Sequence, residues 1–391
     1  MLQNQTPLGV YVHVPFCVHK CAYCDFYSVT DEYLIQEYVA AVTAHIRRQK
    51  RLAKNYIVDS IFFGGGTPSI LPAESFCEIL QTIYDVFNIS PSAEITIEAN
   101  PGTLDGKKLA AWRDMGVNRL SLGLQSADNG ELAMLSRIHT RDEFENSFML
   151  ARMEGFNNIN IDIIYGLPKQ TKEKLFSTLE YVLLMNPEHI SFYGLQLEPN
   201  TPFGRNPNIR NLLPDDDEQY EMYMAACKML ESAGYLQYEI SNFAKKEYGC
   251  RHNIKYWTNK EYISFGPSAT SFVNNIQYKY IPDIERYISY IKKEKDLRCE
   301  EEFYDKEALE FRFLMMCFRL RAGVNIREYS RRFGWNFEER YGEEIKPFLA
   351  SKHMVKTQYG YRLTRQGMMV SNYVLGTILT PPGMDNKESE N

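Results

Sequence analysis

The sequence predicts an α/β protein with a partial, TIM-like (β/α)6 barrel and a small C-terminal winged-helix-like α+β domain. Two observations support this prediction. Between residues 8 and 193, six short runs rich in β-branched residues alternate with amphipathic segments, as in repeated β-α units around a parallel sheet. From about residue 305 the pattern changes to helices followed by a hairpin. A chain of 391 residues can hold both domains.

The predicted strands of the barrel lie at residues 9–14, 57–63, 94–99, 119–124, 158–164 and 189–194. Between the strands, apolar residues recur every three or four positions, for example Tyr38, Val42 and Ile46, which indicates helices with one buried face. A closed barrel would need a seventh and an eighth unit. We therefore expect the barrel to be open.

The predicted domain organisation has four parts. The barrel core with its extension is expected at residues 1–272, and a charge-rich, apolar-poor linker at 273–304. A helical domain with a hairpin wing is expected at 305–380, and a disordered, mostly polar tail at 381–391.

The composition argues against several kinds of partner. Lys plus Arg total 44 against 50 for Asp plus Glu, a formal charge of -6, which does not favour binding to nucleic acid or to an anionic membrane surface. No apolar run reaches the roughly 18 residues of a membrane span, and the N-terminus lacks a signal-peptide pattern. We expect a cytoplasmic protein without stable membrane insertion and without a nucleic-acid partner.

Polar and glycine residues cluster where the predicted strands end. Cys17 follows the first strand and residues 64–67 follow the second. Glu98 ends the third strand, Gln125 comes after the fourth, and Asp162 lies in the fifth. Ligands of parallel α/β folds bind at the carboxyl edge of the strands, so these side chains should converge on one site.

Three cysteines, Cys17, Cys21 and Cys24, form a CxxxCxxC set after the first strand. Thiolates are preferred ligands of iron-sulfur clusters, and one loop can present three sulfurs to three irons of a 4Fe-4S cubane. The fourth iron would then lack a protein ligand. The alternative is a structural zinc site with His13 or His19 as the fourth ligand.

The segment YVHVPFCVHKCAYCDFYS resembles the cluster loop of radical S-adenosylmethionine (SAM) proteins, specifically of the HemN/HemW coproporphyrinogen oxidase-like family. Five later segments are similar, in order, to the family's strand-end motifs: GGGTPS, IEANPGTL, RLSLGLQS, IDIIYGLPKQT and HISFYGLQLEP. The resemblance implies a 4Fe-4S cluster whose open iron binds SAM. It also implies reductive cleavage of SAM to methionine and a 5′-deoxyadenosyl radical.

The resemblance implies further residues that bind these cofactors. Tyr11 and Tyr23 would pack against the cluster or the adenine, and an acid, Glu98, would meet an ammonium or a hydroxyl of SAM. The methionine end would contact main-chain groups of the glycine-rich segment, which consists of Gly64, Gly65, Gly66 and Thr67.

Three more residues match the family's SAM-binding positions. Gln125 and Asp162 would meet the ribose hydroxyls, and Arg137 would pair with the SAM carboxylate. Taken alone, each charged residue is equally compatible with a structural ion pair. Their placement at successive strand ends favours the ligand-binding interpretation.

Two departures from the oxidase pattern indicate the HemW branch, the haem chaperones. The anaerobic coproporphyrinogen dehydrogenases carry another cysteine two residues past the third ligand, where this chain has Phe26. They also carry an N-terminal extension, whereas here the cluster strand begins about ten residues into the sequence. Haem is therefore expected as a further ligand.

His252, Asn253, Tyr256 and Trp257 form an HNxxYW motif similar to one that is linked to haem in HemW proteins. Histidine is a natural axial ligand of haem iron, and aromatic side chains pack on porphyrin faces. Cys250 is a weaker candidate ligand. The alternative is an aromatic cluster that packs the end of the barrel, with His252 capping a backbone group.

The expected function is binding of haem and its delivery to respiratory haem proteins, with a homodimer left open. The alternative within the family is oxidative decarboxylation of coproporphyrinogen III. A third hypothesis, DNA binding by the winged-helix-like domain, rests on five arginines that nearby glutamates dilute: Arg319, Arg321, Arg327, Arg331 and Arg332.

Overall fold

Six parallel strands with intervening helices form the centre of the structure, a computed structural model that describes residues 5–379. Each strand pairs in parallel with the next one along the chain. The strands are β1 (Thr6–Val14), β2 (Tyr56–Gly65), β3 (Asn88–Ala99), β4 (Arg119–Gln125), β5 (Ile159–Tyr165) and β6 (His189–Gly194). The predicted α/β fold class with six β-α units is confirmed.

Amphipathic helices connect these strands and bury one face against the sheet. In the third of them, Phe76, Leu80 and Ile83 are fully buried at helical spacing. The helices are α1 (Ile35–Arg47), α2 (Lys50–Ala53), α3 (Ala73–Val86), α4 (Gly106–Asp114), α5 (Asn129–Met134), α6 (Arg141–Met153) and α7 (Lys172–Met185), with 3-10 turns at Glu32–Leu34 and Pro68–Ile70. A capping box of Thr140 and Glu143 starts α6.

The chain forms two compact units. The first contains the barrel, residues 241–255 and residues 260–303; the second contains residues 237–240, 256–259 and 304–379. The elements after β6 and before residue 304 are α8 (Pro202–Arg205), α9 (Pro207–Arg210), α10 (Asp216–Ser232), β7 (Leu236–Gln237), β8 (Asn242–Ala244), α11 (Arg251–Trp257), β9 (Tyr262–Phe265), β10 (Thr270–Val273), β11 (Ile276–Tyr280), α12 (Ile284–Lys292) and β12 (Arg298–Phe303).

Later strands extend the central sheet on both sides. On one side β9 pairs in parallel with β1, and β10, β11 and β12 follow antiparallel. On the other side β8 pairs antiparallel with β6. Within the first unit the order is therefore β12-β11-β10-β9-β1-β2-β3-β4-β5-β6-β8.

Residues 273–304, predicted as a linker, instead form β11, α12 and β12 of the first unit. In α12 the apolar residues Ile284, Tyr287, Ile288 and Ile291 are buried at helical spacing, and charged residues between them face outward. β12 is exposed throughout and charged, as suits an edge strand. The high charge that indicated a linker belongs to these outer faces.

The second unit has a winged-helix-like arrangement with an aromatic core. Its three-stranded sheet has the order β13-β15-β14, and its buried side chains include Tyr329, Phe333 and Phe337. From residue 304 onward its elements are α13 (Lys306–Cys317), β13 (Val324–Asn325), α14 (Ile326–Phe333), α15 (Phe337–Ala350), β14 (Met354–Lys356), β15 (Gly360–Leu363), α16 (Arg365–Met369) and α17 (Ser371–Leu379). The tail predicted at 381–391 lies outside the described residues.

None of the helices within residues 5–379 combines the length and the apolar character that crossing a membrane requires.

Candidate functional site

The carboxyl ends of the barrel strands surround an open cavity of about 640 Å³ in the first unit. This volume is within the usual range for a small-molecule ligand, roughly 300 to 1,000 Å³. Most of the predicted site residues line it: Cys17, Cys21, Tyr23, Cys24, Gly65, Gly66, Thr67, Glu98, Gln125, Arg137 and Asp162. The convergence that the strand-end pattern predicted is therefore present in the structure.

The loop that carries the three cysteines is closed at its base. The backbone N–H of Cys17 donates to the Val29 carbonyl at 2.9 Å, and the N–H of Val29 donates to the Pro15 carbonyl at 2.7 Å. The glycine-rich segment packs against this base, since Thr67 N–H donates to the Phe16 carbonyl at 2.7 Å. A Cβ on Gly66 would lie 2.6 Å from that same carbonyl oxygen, so only glycine fits there.

The tip of the cysteine loop is also held. The Ala22 N–H donates to the Leu135 carbonyl at 3.4 Å, and the Ala22 carbonyl accepts from Phe203 N–H at 2.9 Å. Ala22 itself is buried in an apolar cluster with Leu135, Leu167 and Phe203. Held at base and tip, the loop presents its cysteines from a fixed backbone.

The three thiols fit an iron-sulfur cluster better than a single metal ion. All three are half-buried and line the same cavity. Within residues 5–379, no three His, Cys, Asp or Glu side chains converge closely enough to hold one metal ion. In a cubane each thiolate binds a different iron, so the sulfurs need to face a shared space rather than a common point.

The zinc alternative also lacks His13 as a fourth ligand. The ring of His13 is buried, with Nε2 2.8 Å from the Tyr27 carbonyl oxygen and Nδ1 3.2 Å from the Tyr11 hydroxyl. Both ring nitrogens are therefore engaged. His19 is exposed and lines the cavity near Cys21.

Two carboxylates lie in the cavity wall, and their environments differ. Glu98 accepts a hydrogen bond from Gly65 N–H at 3.3 Å, and burial together with the charge of Asp162 raises the pKa of Glu98 to about 8. Burial also raises the pKa of Asp162, but the hydrogen bonds that it accepts from Ser121 Oγ at 3.2 Å and Asn160 Nδ2 at 2.9 Å oppose this. Glu98 is thus the carboxyl that keeps its proton near neutral pH.

Arg137 lines the cavity beside the cysteine loop. Its Nη1 donates to Asn100 Oδ1 at 3.0 Å, and its guanidinium carbon is 5.9 Å from the centre of the Tyr23 ring. Arg137 Nε is buried and has no hydrogen-bond partner among the residues that the structure describes. Such a donor is normally satisfied, and a ligand carboxylate would do so. The arrangement fits the predicted contact with the carboxylate of SAM.

Gln125 reaches the cavity through an irregular backbone. Its φ angle is +71°, and the pairing of β4 with β5 shifts register between Gly123 and Gln125. A Cβ on Gly123 would lie 2.8 Å from Gln125 Nε2, so the neighbouring glycine makes room for the amide. The irregularity turns Gln125 to the same cavity as Asp162.

Tyr11 and Gly64 lie next to the cavity but not in its wall. The Tyr11 ring stacks 6.2 Å from Phe62 and lies 6.3 Å from His252, inside the barrel. A Cβ on Gly64 would approach Glu98 Oε2 to 3.0 Å. Both residues support the wall rather than form it, and contact of Tyr11 with the cluster or the adenine stays a prediction.

The four residues of the HNxxYW motif do not line the cavity. His252 and Asn253 belong to the first unit, whereas Tyr256 and Trp257 belong to the second. His252 is 1% exposed, and its Nδ1 lies 3.0 Å from Ser60 Oγ. An imidazole enclosed in this way cannot reach haem iron unless α11 rearranges, so the predicted axial ligand is not available in this conformation.

The packing alternative for His252 fits the structure better. The His252 ring packs 5.4 Å from Phe62, and its backbone N–H donates to Glu94 Oε1 at 3.2 Å. The capping group is therefore a glutamate side chain acting on the His252 backbone, not the imidazole. Cys250, the weaker candidate ligand, is fully buried and donates its thiol to the same Glu94 oxygen at 3.5 Å.

Sequence reasoning missed three polar residues around the cavity. Asn100 joins Arg137 to Thr67, while Ser121 and Asn160 hold Asp162. Asn100 lies in the segment ANPGT, whose Pro and Gly indicate a turn directly after a strand. That signal could have placed Asn100 at a strand end, but its partners come from elsewhere in the chain.

Comparison with known proteins agrees with this geometry. Residues 11–182 match the radical SAM superfamily, and residues 304–370 match the HemN C-terminal domain. The chain is 35% identical to heme chaperone HemW of Buchnera aphidicola subsp. Schizaphis graminum, over 95% of this chain and 98% of that protein. It is 33% identical to heme chaperone HemW of Bacillus subtilis, over 95% and 99% respectively.

A solved structure has the same fold along nearly the whole chain. Coproporphyrinogen III oxidase (HemN) from Escherichia coli, described as a radical SAM enzyme, superposes with a TM-score of 0.85 at 21% identity. The match covers 96% of this chain and 91% of that one. At this identity the match shows the fold alone. The two near-full-length relatives above 30% identity decide the family: the chain belongs to the HemW family of radical SAM proteins.

Proposed function

We propose that this protein is a cytoplasmic haem chaperone that carries a 4Fe-4S cluster, binds SAM and haem, and delivers haem to respiratory haem proteins. One observation carries the cofactor part of the proposal: a single cavity joins the three loop thiols to the partly unsatisfied guanidinium of Arg137. The name that the curated relatives share supports the chaperone part.

Each cavity residue has a role in this proposal. Cys17, Cys21 and Cys24 would hold the cluster, and Arg137 would bind the SAM carboxylate. Glu98 would accept from the SAM ammonium beside the Gly65 backbone. When bound, the cluster and SAM supply one-electron chemistry that side chains lack.

The far side of the cavity would hold the nucleoside of SAM. Asp162 and Gln125 present a carboxylate and an amide to the two ribose hydroxyls. Ser121 and Asn160 fix the Asp162 carboxylate through hydrogen bonds, so its orientation does not depend on the ligand. Preorganisation of this kind reduces the entropic cost of binding.

The charge of the cavity wall favours a chaperone over a coproporphyrinogen dehydrogenase. A porphyrinogen with four propionates would require several cations around it. Lys20 and Arg137 are the Lys and Arg side chains among the lining residues, and the proposal assigns Arg137 to SAM. Carboxylates line the same wall at Asp25, Glu98, Asp162 and Glu198. The wall therefore does not match a tetra-anionic substrate.

Anaerobic reconstitution tests the cluster. The unmutated protein is expected to take up iron and inorganic sulfide in equal amounts, about four of each per chain, with the visible spectrum of a 4Fe-4S cluster. The variants Cys17→Ser, Cys21→Ser and Cys24→Ser should each lose it, and Cys77→Ser, on the outer helix α3, is the matched control. Zinc without sulfide in the unmutated protein would overturn the proposal.

The test of haem binding must separate loss of a haem ligand from disturbed packing, because His252 is buried. Titration with haemin is expected to give stoichiometric binding by the unmutated protein. His252→Ala is compared with Ser60→Ala, which removes the hydrogen bond of the imidazole but leaves the imidazole in place. If both variants lose haem equally, the effect is one of folding rather than of ligation.

An anaerobic assay with reductant, SAM and coproporphyrinogen III separates the two family functions. A chaperone yields no protoporphyrinogen. Formation of protoporphyrinogen, or failure of the unmutated protein to bind haemin, would remove the chaperone proposal.

A further inference from the structure

Four side chains form a continuous line of contacts along the cavity wall. Arg137 Nη1 donates to Asn100 Oδ1 at 3.0 Å, and Asn100 Nδ2 donates to Thr67 Oγ1 at 2.8 Å. The Thr67 hydroxyl in turn donates to Cys17 Sγ at 3.6 Å, within the range for a sulfur acceptor. The line thus connects a guanidinium to one of the three thiols of the cysteine loop.

The direction of every hydrogen bond in this line is fixed. A guanidinium can only donate, so the atom of Asn100 that faces Arg137 must be the amide oxygen. The amide NH2 group therefore faces Thr67 and uses the hydroxyl oxygen as its acceptor. The hydroxyl proton must then be directed elsewhere, and Cys17 Sγ is the acceptor in reach.

A rigid turn holds Asn100 in this position. The segment Asn100-Pro101-Gly102-Thr103 closes with a Thr103 N–H bond to the Asn100 carbonyl at 3.2 Å, and Gly102 has a φ of +80°, which a type II turn requires at its third residue. Ser69 Oγ accepts from the Asn100 N–H at 3.2 Å. The turn therefore fixes the backbone of Asn100, and the bonds to Arg137 and Thr67 orient its side-chain amide.

We propose that Asn100 is a positioning residue that aims the Thr67 hydroxyl at the Cys17 sulfur and so raises the reduction potential of the cluster. The inference rests on the proposed function, because it requires a cluster on Cys17. It goes further by assigning control of the potential to two side chains that do not bind the metal.

The hydrogen bond from Thr67 raises the potential because the reduced cluster carries more negative charge than the oxidised one. Reduction places one more negative charge on the cluster and its sulfur ligands. A hydroxyl proton directed at a ligand sulfur stabilises that charge and shifts the potential upward. The Arg137 charge at the other end polarises the chain in the same sense. Because Asn100 accepts from Nη1, the buried Nε of Arg137 keeps no partner within the described part of the chain.

The test is the midpoint potential of the reconstituted cluster, measured without SAM by an anaerobic titration that is followed by electron paramagnetic resonance. Thr67→Val keeps the shape and removes the hydroxyl, whereas Thr67→Ser keeps the hydroxyl. Thr96→Val is the matched control, because Thr96 is buried in β3 and its Oγ1 has no partner among residues 5–379. Iron content is measured for each variant first.

We expect Thr67→Val to disfavour reduction about tenfold, which is about 59 mV for one electron. Thr67→Ser and Thr96→Val should keep the potential of the unmutated protein. Equal potentials in Thr67→Val and the unmutated protein, with full iron content in both, would overturn the inference and leave the proposed function intact. Absence of any cluster in the unmutated protein would instead remove the proposed function.

Asn100→Asp tests independently whether Asn100 directs the Thr67 hydroxyl at Cys17. A carboxylate still accepts from Arg137 but cannot donate to Thr67, so the hydroxyl turns from Cys17 to the new carboxylate. The potential should fall, and Thr67→Val should lower it no further in the Asn100→Asp background. Additive effects of the two substitutions on the potential would contradict the proposal that Asn100 acts through the Thr67 hydroxyl. If Thr67→Val fails to take up iron, Asn100→Leu against the unmutated protein decides. Loss of the aiming amide should lower the potential without adding a charge, and an equal potential would overturn the inference.

Discussion

The Glu98 carboxylate accepts a hydrogen bond from the Gly65 backbone N–H at 3.3 Å, in a cavity wall that it shares with Asp162. Burial is the larger cause and the charge of Asp162 the smaller cause of a pKa of about 8 for Glu98. One donor from the Gly65 backbone does not offset these two effects. The site therefore holds a protonated acid at neutral pH until a cation joins it.

The contribution of Glu98 to the stability of the cofactor-free protein should fall as pH rises from about 4.5 to about 8. In this window folded Glu98 keeps a proton that the unfolded chain has released, so the folded state binds more protons and each rise in pH favours unfolding. Glu98→Gln removes this dependence. At pH 8 the variant should be more stable by about 2 kcal/mol, less than the full shift implies because Glu98 is partly exposed to the cavity.

Urea unfolding of the cofactor-free protein at pH 5, 6.5 and 8 measures this effect. Glu74→Gln, at an exposed position in the first turn of α3, is the control for loss of a carboxylate. An identical pH dependence in Glu98→Gln and the unmutated protein would show that Glu98 titrates normally.

Arg137→Lys should weaken SAM binding by about 10- to 100-fold, the usual range for one charge-assisted pair. Lysine keeps the charge, but its single ammonium nitrogen replaces a planar group with several N–H donors. It therefore cannot bind the Asn100 oxygen and a ligand carboxylate in one plane, as the guanidinium can. Equilibrium dialysis with SAM on cluster-loaded protein measures the change. Iron content should stay unchanged, and an unaltered SAM affinity would argue against the assigned contact.

Gly66→Ala should prevent the cysteine loop from closing. The new methyl group would lie 2.6 Å from the Phe16 carbonyl, which is backbone and cannot move aside without shifting Cys17. We expect a loss of about 1 to 3 kcal/mol in unfolding free energy and most of the bound iron. Gly342→Ala, at an open position within α15, is the control. Normal iron uptake by Gly66→Ala would contradict the tight packing.

Much of the site could be predicted because its geometry follows from local sequence. β-branched runs specify parallel strands, and parallel strands end at one edge, so Cys17, Glu98 and Asp162 had to meet. Asn100 was not predictable as a site residue. The three residues that share its line of hydrogen bonds come from two other strand ends and from the loop between α5 and α6, which no short-range pattern connects.

The burial of His252 could not be predicted for a similar reason. The HNxxYW motif by itself suggests an open ligand, because nothing in its six residues shows what surrounds them. Its burial depends on β9, which pairs in parallel with β1 across more than half the chain and brings α11 against Tyr11 and Phe62. Hydrophobic periodicity describes short windows of sequence, so it cannot predict the pairing of strands this far apart in the chain.

Thr96→Val should stabilise the protein. Thr96 lies in β3 with 0% exposure, and no described residue is in hydrogen-bond distance of its hydroxyl. Burying an unpaired hydroxyl is unfavourable, and valine has nearly the same shape and a higher strand propensity. We expect a gain of about 1 kcal/mol in unfolding free energy, measured in urea at pH 7. Thr357→Val, whose hydroxyl accepts from Gly360 N–H at 3.2 Å, should lose stability instead.

His252→Gln should make the cofactor-free protein less sensitive to acid. Burial, followed by the charges of Lys255 and Arg119, lowers the pKa of His252 from near 6.5 to about 3. Between these pH values His252 is protonated in the unfolded chain but not in the folded protein. Its contribution to stability therefore falls as pH drops. Glutamine keeps a polar partner for Ser60 Oγ but does not titrate.

The unfolding free energy should therefore drop less between pH 7 and pH 4.5 in His252→Gln than in the unmutated protein. The two proteins should differ by at most the contribution of one proton taken up on unfolding, and urea titration at each pH measures this. His353→Gln, on the outside of the second unit, should leave that difference unchanged. The opposite result, with His252→Gln as acid-sensitive as the unmutated protein, would mean that the imidazole is hydrated and accessible. In that case the axial-ligand hypothesis for haem would regain its support, because an imidazole that water reaches could also reach iron.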